Sequence, residues 1–150
     1  FTMSAFQLDK TLSEFGSVSR GLCQVNNDKL INVTETHDLK KVNNNIICDR
    51  EIDLNGEEPV SMNMWGFTPM LFDYLQTMFN DFLNDNITNL KSEFLIPTVV
   101  NNLIQEKREE VCVLRTTSKW FGITYIDDKP LVKKQISKLV DSGLYPNKLF

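Results

Sequence analysis

The sequence predicts an α/β fold, a single domain with helices packed on a mixed β-sheet. Residues 60–67, VSMNMWGF, form an apolar run without clean alternation, the pattern of a strand covered on both faces. Thr68-Pro69 follows at once and reads as an N-cap with proline at the first helical position. A buried strand thus runs straight into a helix, and the rest of the chain adds strand and helix signals in mixed order. At 150 residues with 41% hydrophobic and 10% aromatic content, the chain has material for one core.

Residues 1–8 read as a strand already under way, and the opening Phe1 in place of methionine suggests a trimmed protein. LSEFGSVSRG is turn-rich, with Gly16 and Gly21 marking bends or close approaches. Residues 21–25 are extended, NNDK turns the chain, and residues 30–40 return as the second strand of a hairpin. On that strand Glu35 shares a face with Ile31 and Val33, so its carboxylate is either solvated at the strand end or held for a polar ligand. Residues 46–48 and 51–54 look like a small β excursion closed by a turn at Asn55-Gly56.

The helix over 70–83 carries Leu71, Leu75, Met78 and Phe82 on one stripe, flanked by Phe72, Phe79 and Leu83, and is core-facing. A second helix carries Ile96, Val99, Val100, Leu103 and Ile104, with Pro97 confined to its first turn. Glu93, just ahead of it, suits a cap for the free N–H groups of that helix. Residues 109–117 and 119–126 read as strands. A last helix is capped by Asp127 or Asp128 and ended by Gly143.

Composition excludes several function classes. A net charge of −4, with Lys and Arg scattered, leaves no basic field for nucleic acid. Cys23, Cys48 and Cys112 lie far apart, which points to reduced thiols in a cytoplasmic protein rather than to disulfides or zinc. One histidine, His37, rules out a His-pair metal motif, and no apolar run reaches the roughly 20 residues of a membrane span. There is no Gly-rich phosphate loop, nucleophile elbow, HExxH or CxxC, so no catalytic residue is assigned. Arg20, Gly21, Glu35, Asn63, Glu93 and Lys119 remain, polar residues and a glycine at strand ends and turns. Such a set suits a pocket for a polyhydroxylated, anionic small molecule.

The runs GSVSRGLCQVNNDKLINVTETHDLK, VSMNMWGFTPMLFDYL, KSEFLIPTVVNNLI and KWFGITYIDDKPLV resemble, in order and spacing, the C-terminal half of sugar-1-phosphate nucleotidyltransferases, most closely a bacterial subgroup. The resemblance implies a Rossmann-like mixed sheet with flanking helices. It further implies that residues 1–150 are a single domain fragment, the sugar-binding half, inactive without an N-terminal half that carries the nucleotide loop and a metal-binding aspartate. Gly21 matches a glycine whose backbone meets the sugar, Glu35 a carboxylate that binds sugar hydroxyls, and Glu93 the glutamate opening the next helix. Asn63 falls where the family has a small residue lining the sugar site. Arg20 and Lys119 are sugar-phosphate ligands by charge.

For the whole enzyme the resemblance implies a sugar-1-phosphate and a nucleotide, UTP or dTTP, as substrates. The sugar-phosphate oxygen attacks the α-phosphorus and pyrophosphate leaves, with Mg²⁺ neutralising charge. This chain is expected to hold no metal itself. Many family members place a second metal-binding aspartate two residues after the tryptophan of the late strand, and here that position is Gly122. That departure keeps open an alternative, a non-catalytic sugar-phosphate-binding or regulatory module. A third reading is a remnant that forms homo-oligomers across exposed sheet edges.

Overall fold

The computed structural model describes residues 1–43, 45–123 and 125–148. Its strands are β1 (Thr2–Gln7), β2 (Val18–Asn26), β3 (Lys29–Val42), β4 (Asn45–Ile47), β5 (Pro59–Gly66) and β6 (Cys112–Arg115). The helices are α1 (Met70–Asn86), α2 (Ile96–Gln105) and α3 (Asp128–Asp141), with a 3₁₀ turn at Leu8–Thr11. Strand β2 pairs with β5, β5 with β1, β1 with β6, β6 with β3, and β3 with β2 again. The ring closes into a five-stranded barrel, and β4 is added on the outside of β3.

This architecture overturns the expected Rossmann-like sheet with flanking helices. Such a sheet is built from parallel strands joined by helical crossovers, and here only β1 and β6 are parallel. The remaining pairs are antiparallel. Closure follows from local irregularities that coil the strands. The β2–β3 register shifts between Val18 and Arg20 and again between Gln24 and Val25, and β5 bulges against β1. Each bulge adds right-handed twist, and enough of them bend an antiparallel sheet back on itself. The ring is completed by a single β3–β6 pair, Lys29 with Cys112.

Strands β2 and β3 form the hairpin expected from NNDK. Asn27 and Asp28 both have positive φ, 48° and 58°, the two-residue turn whose twist matches that of the strands. Two buried clusters result. Met3, Ala5, Leu30, Val33, Val111 and Val113 gather with Val100 of α2, while Leu8, Val18, Leu39, Ile46 and Val60 gather near the 3₁₀ turn. Helix α2 begins with Pro97 in its first turn, as expected, and buries Val99, Val100 and Leu103. Helix α1 follows the expected stripe less deeply: Leu71 is buried, Leu75, Met78 and Phe82 are half-buried, and Phe72 is exposed. Phe82 and Phe79 rest on Phe94, each with ring centroids 5.3 Å away.

Several local expectations change. Thr68 makes no side-chain cap. Pro69 itself is the N-cap of α1, and the Leu71 N–H donates to the Thr68 carbonyl at 3.1 Å. Glu93 does not cap α2, whose N-cap is Leu95 with no side-chain cap bond. Residues 51–54 and 119–123 form no strand, since the Trp120 N–H is taken by the Lys10 carbonyl at 3.1 Å. Thr124, inside the second of those expected strands, and Asn44, in the loop before residues 46–48, lie outside the described residues. Gly143 ends α3 with φ 75°, as expected.

The largest change is in β5. Only Val60 and Ser61 are buried there, and Met64 is 61% exposed, so the strand is not covered on both faces. Met3 pairs with Trp65 and Ala5 with Ser61, so residues 62–64 oppose the single Ser4. Asn63 sits at the crest of this bulge with φ 56°, a left-handed conformation that asparagine tolerates better than other side chains. Replacing it tests the bulge. Asn63→Gly should keep the stability measured by chemical denaturation, whereas Asn63→Val should lose about 1–2 kcal/mol.

Candidate functional site

Four of the residues singled out in the sequence meet in one place. Arg20, Gly21, Glu35 and Asn63, with Ser19, Ser61 and Pro97, line a cleft of about 110 Å³ where β3, β2 and β5 run side by side. The register explains the convergence. Gly21 pairs with Glu35 on one side and Ser61 on the other, and directly opposed residues place their side chains on the same face. An ideal Cβ at Gly21 would stand 2.9 Å from Val33 Cγ2, 3.3 Å from Ser61 Cβ and 3.9 Å from Glu35 Oε2. Glycine is therefore imposed by the close approach of three strands, and its bare backbone forms the floor below the Glu35 carboxylate.

Glu35 is half-buried, and among the described residues its carboxylate accepts no hydrogen bond. Burial raises its pKa above the usual carboxylate value; His37 and Arg20 oppose the rise and Glu93 adds to it. Glu93 is exposed and stands off the cleft, which it reaches through that repulsion. Asn63 Oδ1 accepts a hydrogen bond from the Trp65 indole at 3.4 Å, and the Asn63 backbone N–H donates to Ser61 Oγ at 3.2 Å. Beyond Asn63 and Pro97 the cleft opens into a shallower recess of about 480 Å³ walled by Trp65, Phe67, Phe94 and Ile96. The Trp65 and Phe67 rings stack there with centroids 5.9 Å apart.

Arg20 turns its donors into the protein. It is 8% exposed, and its Nε donates to Thr11 Oγ1 at 3.2 Å, Nη1 to the Ser19 carbonyl at 2.7 Å, and Nη2 to the Thr11 carbonyl. The guanidinium lies over the Trp120 ring, 5.0 Å from its centroid. Burial lowers its pKa from the ordinary value, with Glu35 pulling the other way. Its role is to tie β2 to the 3₁₀ turn and to residue 120. The partners that consume it, Thr11 and Trp120, carried no signal in the sequence.

Lys119 is exposed and faces elsewhere. It lines a separate cavity of about 110 Å³ between Leu12, Trp120, Phe121 and Leu131 of α3. Trp120, whose ring Arg20 covers, lines this cavity, while Arg20 lines the cleft. Gly122 lies under the same indole, since an ideal Cβ on it would be 2.4 Å from Trp120 Cη2. An aspartate in that position would have to displace the ring. Asp128 accepts hydrogen bonds from Ser13 Oγ at 3.3 Å and from the Tyr125 N–H at 2.7 Å. Among the described residues no three His, Cys, Asp or Glu side chains gather as a metal group. The described side chains around Gly122 thus leave no room for the aspartate of the Mg²⁺ site that the resemblance implies.

The cleft as built is acidic, with its one cation spent internally. Because Glu35 has a raised pKa in the folded state, its protonated form is the one folding favours, and ionisation weakens the fold as pH rises through that value. Glu35→Gln should therefore stabilise the protein at pH 7, by less than about 1 kcal/mol given the partial exposure. The gain should shrink as pH falls and vanish below about pH 3.5, where the wild-type carboxyl is protonated in both states. Melting curves of both proteins across that range check the sign. No protein-family model matches the chain, and no curated protein matches its sequence.

Proposed function

We propose that the cleft binds the sugar part of a sugar phosphate, with Glu35 accepting hydrogen bonds from ring hydroxyls. The observation that carries this reading is the Glu35 carboxylate, half-buried over the bare backbone of Gly21, with no hydrogen-bond donor among the described residues. A partly desolvated acceptor with no protein donor gains from a ligand that supplies neutral O–H donors. Ser61 and Asn63 add short polar groups, and Trp65 offers an apolar surface beside them for the C–H face of a pyranose. With Arg20 spent on Thr11 and Ser19, the phosphate points out of the cleft.

In this reading the chain supplies sugar recognition for a sugar-1-phosphate nucleotidyltransferase, a transferase making a nucleotide sugar and pyrophosphate. The motifs of the sequence support that larger role, and the barrel does not supply the sheet that the resemblance implied, so the reading rests on the cleft. The free cysteines are consistent with a cytoplasmic setting: burial pushes the Cys23 thiol up to about 12, which leaves it inert. No helix is long and apolar enough to cross a membrane among the described residues. One observation favours the non-catalytic module instead: Gly122 is packed under Trp120 where a metal-binding aspartate was expected.

Isothermal titration with glucose-1-phosphate, glucose and UDP-glucose tests the reading. Saturable binding of the phosphate and the free sugar is expected. Glu35→Gln should weaken both by about 10-fold or more, the worth of hydrogen bonds to a charged acceptor. Absence of binding by a chain shown to be folded, or full affinity in Glu35→Gln, would remove the sugar-site reading.

A further inference from the structure

The only histidine stands next to the cleft and touches one of its lining residues. Ser19 Oγ and His37 Nδ1 lie 2.8 Å apart, and Ser19 lines the cleft with Gly21 and Glu35. Gly21 pairs with Glu35, and just beyond that pair the β2–β3 register shifts, at the point where Ser19 and His37 meet. His37 is held by its backbone. Its N–H donates to Asp49 Oδ1 at 3.0 Å, and the Asp49 N–H donates to its carbonyl at 3.0 Å. These bonds fix the backbone from which the exposed ring reaches the hydroxyl.

We infer that His37 is a positioning residue that sets the hydrogen-bonding sense of Ser19 towards the ligand. A hydroxyl has one proton and two lone pairs, and an imidazole nitrogen is either donor or acceptor. When His37 is neutral and Nδ1 carries no proton, Ser19 donates to it and offers the cleft only acceptor lone pairs. When His37 is protonated, both ring nitrogens are donors, so Ser19 accepts from Nδ1 and turns its own proton towards the ligand. Ser19, an exposed residue of the lining, then passes from an acceptor for a ligand hydroxyl to a donor for a phosphate oxygen that lies outside the cleft, away from Glu35. For its ligand this inference rests on the sugar-phosphate reading above.

Charged groups stand around the ring. Glu35 on β3 and His37 interact electrostatically, and Asp49 after β4 and Asp38 on β3 are the other acidic groups close by. Asp38 is engaged by Ser17, whose Oγ donates to its Oδ1 at 3.2 Å. From β2, Arg20 acts on Glu35 but is turned towards Thr11. Removing the Ser19 hydroxyl leaves all of these charges in place, which makes Ser19→Ala the informative variant.

Two measurements decide the matter. The first needs no ligand: ¹⁵N spectra of His37 above its own titration midpoint should show an unprotonated, hydrogen-bonded Nδ1, and Ser19→Ala should lose that signature. A ring protonated at Nδ1 in the neutral state, or spectra unchanged by Ser19→Ala, overturns the inference. The second is the affinity for glucose-1-phosphate on either side of that midpoint, in the wild type and in Ser19→Ala. The wild type should bind about three- to tenfold more tightly on the protonated side, relative to the change seen in Ser19→Ala, the worth of one hydrogen bond. The ligand's own ionisation acts on both proteins and cancels in that ratio. An equal pH dependence in the two proteins overturns the inference. Failure of both proteins to bind at any pH removes the sugar-phosphate reading and with it the ligand role assigned here, while the ¹⁵N signature still decides the hydrogen bond itself.

Discussion

A guanidinium taken out of water has to find its hydrogen-bond acceptors inside the protein, and the site depends on how Arg20 does so. Desolvating an ion costs several kcal/mol unless its donors are satisfied. The Thr11 hydroxyl and carbonyl, the Ser19 carbonyl and the Trp120 ring meet that requirement together. Charge-assisted hydrogen bonds of about 1.5–3 kcal/mol each, with a cation–π contact of about 0.5–2, are of the right size to offset it. Three segments distant in sequence are thereby held to one another: the 3₁₀ turn, β2 and the stretch around residue 120. The same bonds keep the positive charge pointed away from the ligand side.

The character of the cleft follows. The residue after Arg20 is Gly21, which faces the opposite side of the strand, so the floor of the cleft is bare backbone and its wall is a carboxylate. Glu35 feels Arg20 through space but receives no hydrogen bond from it. It is partly desolvated without being neutralised, and Glu93 adds like charge from outside. An anionic group seated against Glu35 would meet repulsion, whereas a hydroxyl meets an acceptor. The chemistry therefore favours recognition of the polyol over recognition of the phosphate, the reverse of what charge alone suggests for a chain whose candidate residues include Arg20 and Lys119.

The parts of this arrangement that were legible in the sequence are those set by local pattern. The turn residues of NNDK and the helical spacing from Ile96 to Ile104 each specify a local geometry, and each appears as expected, whereas the alternation expected from Leu30 to Glu35 is broken at Ile31, where the β2–β3 register shifts and Leu30 and Val33 are both buried. The convergence of Arg20, Gly21, Glu35 and Asn63 on one cleft was also anticipated, through resemblance of motifs. What failed depended on contacts between distant segments. Nothing near Arg20 shows that Thr11 and Trp120 will consume its donors, and nothing near Lys119 shows that Trp120 will bond to Lys10 rather than continue a strand. Asn63 was noticed as a polar residue in an apolar run, but its meaning was conformational: it marks where β5 bulges with positive φ. His37 entered the sequence reading only as evidence against a metal pair, because its partner Ser19 lies 18 residues away and is brought near by the hairpin.

The closed barrel was missed for a related reason, and it bears on what the cleft can do. Alternation and apolar runs report which residues are buried, not whether a sheet stays open or curls shut, and closure here depends on bulges that shift register by a residue or two. In an open parallel sheet a ligand sits beyond the carboxyl ends of the strands, where loops and helix N-termini supply the contacts. In this barrel the cleft lies on the faces of adjacent antiparallel strands, so its groups are fixed by cross-strand register. Glu35 is opposite Gly21 because residue 35 pairs with residue 21, and a one-residue slip would turn the carboxylate to the other side. The same register that closes the fold therefore fixes the geometry of recognition, and the irregularities at Val18–Arg20 and around Asn63 bracket the cleft at its two ends.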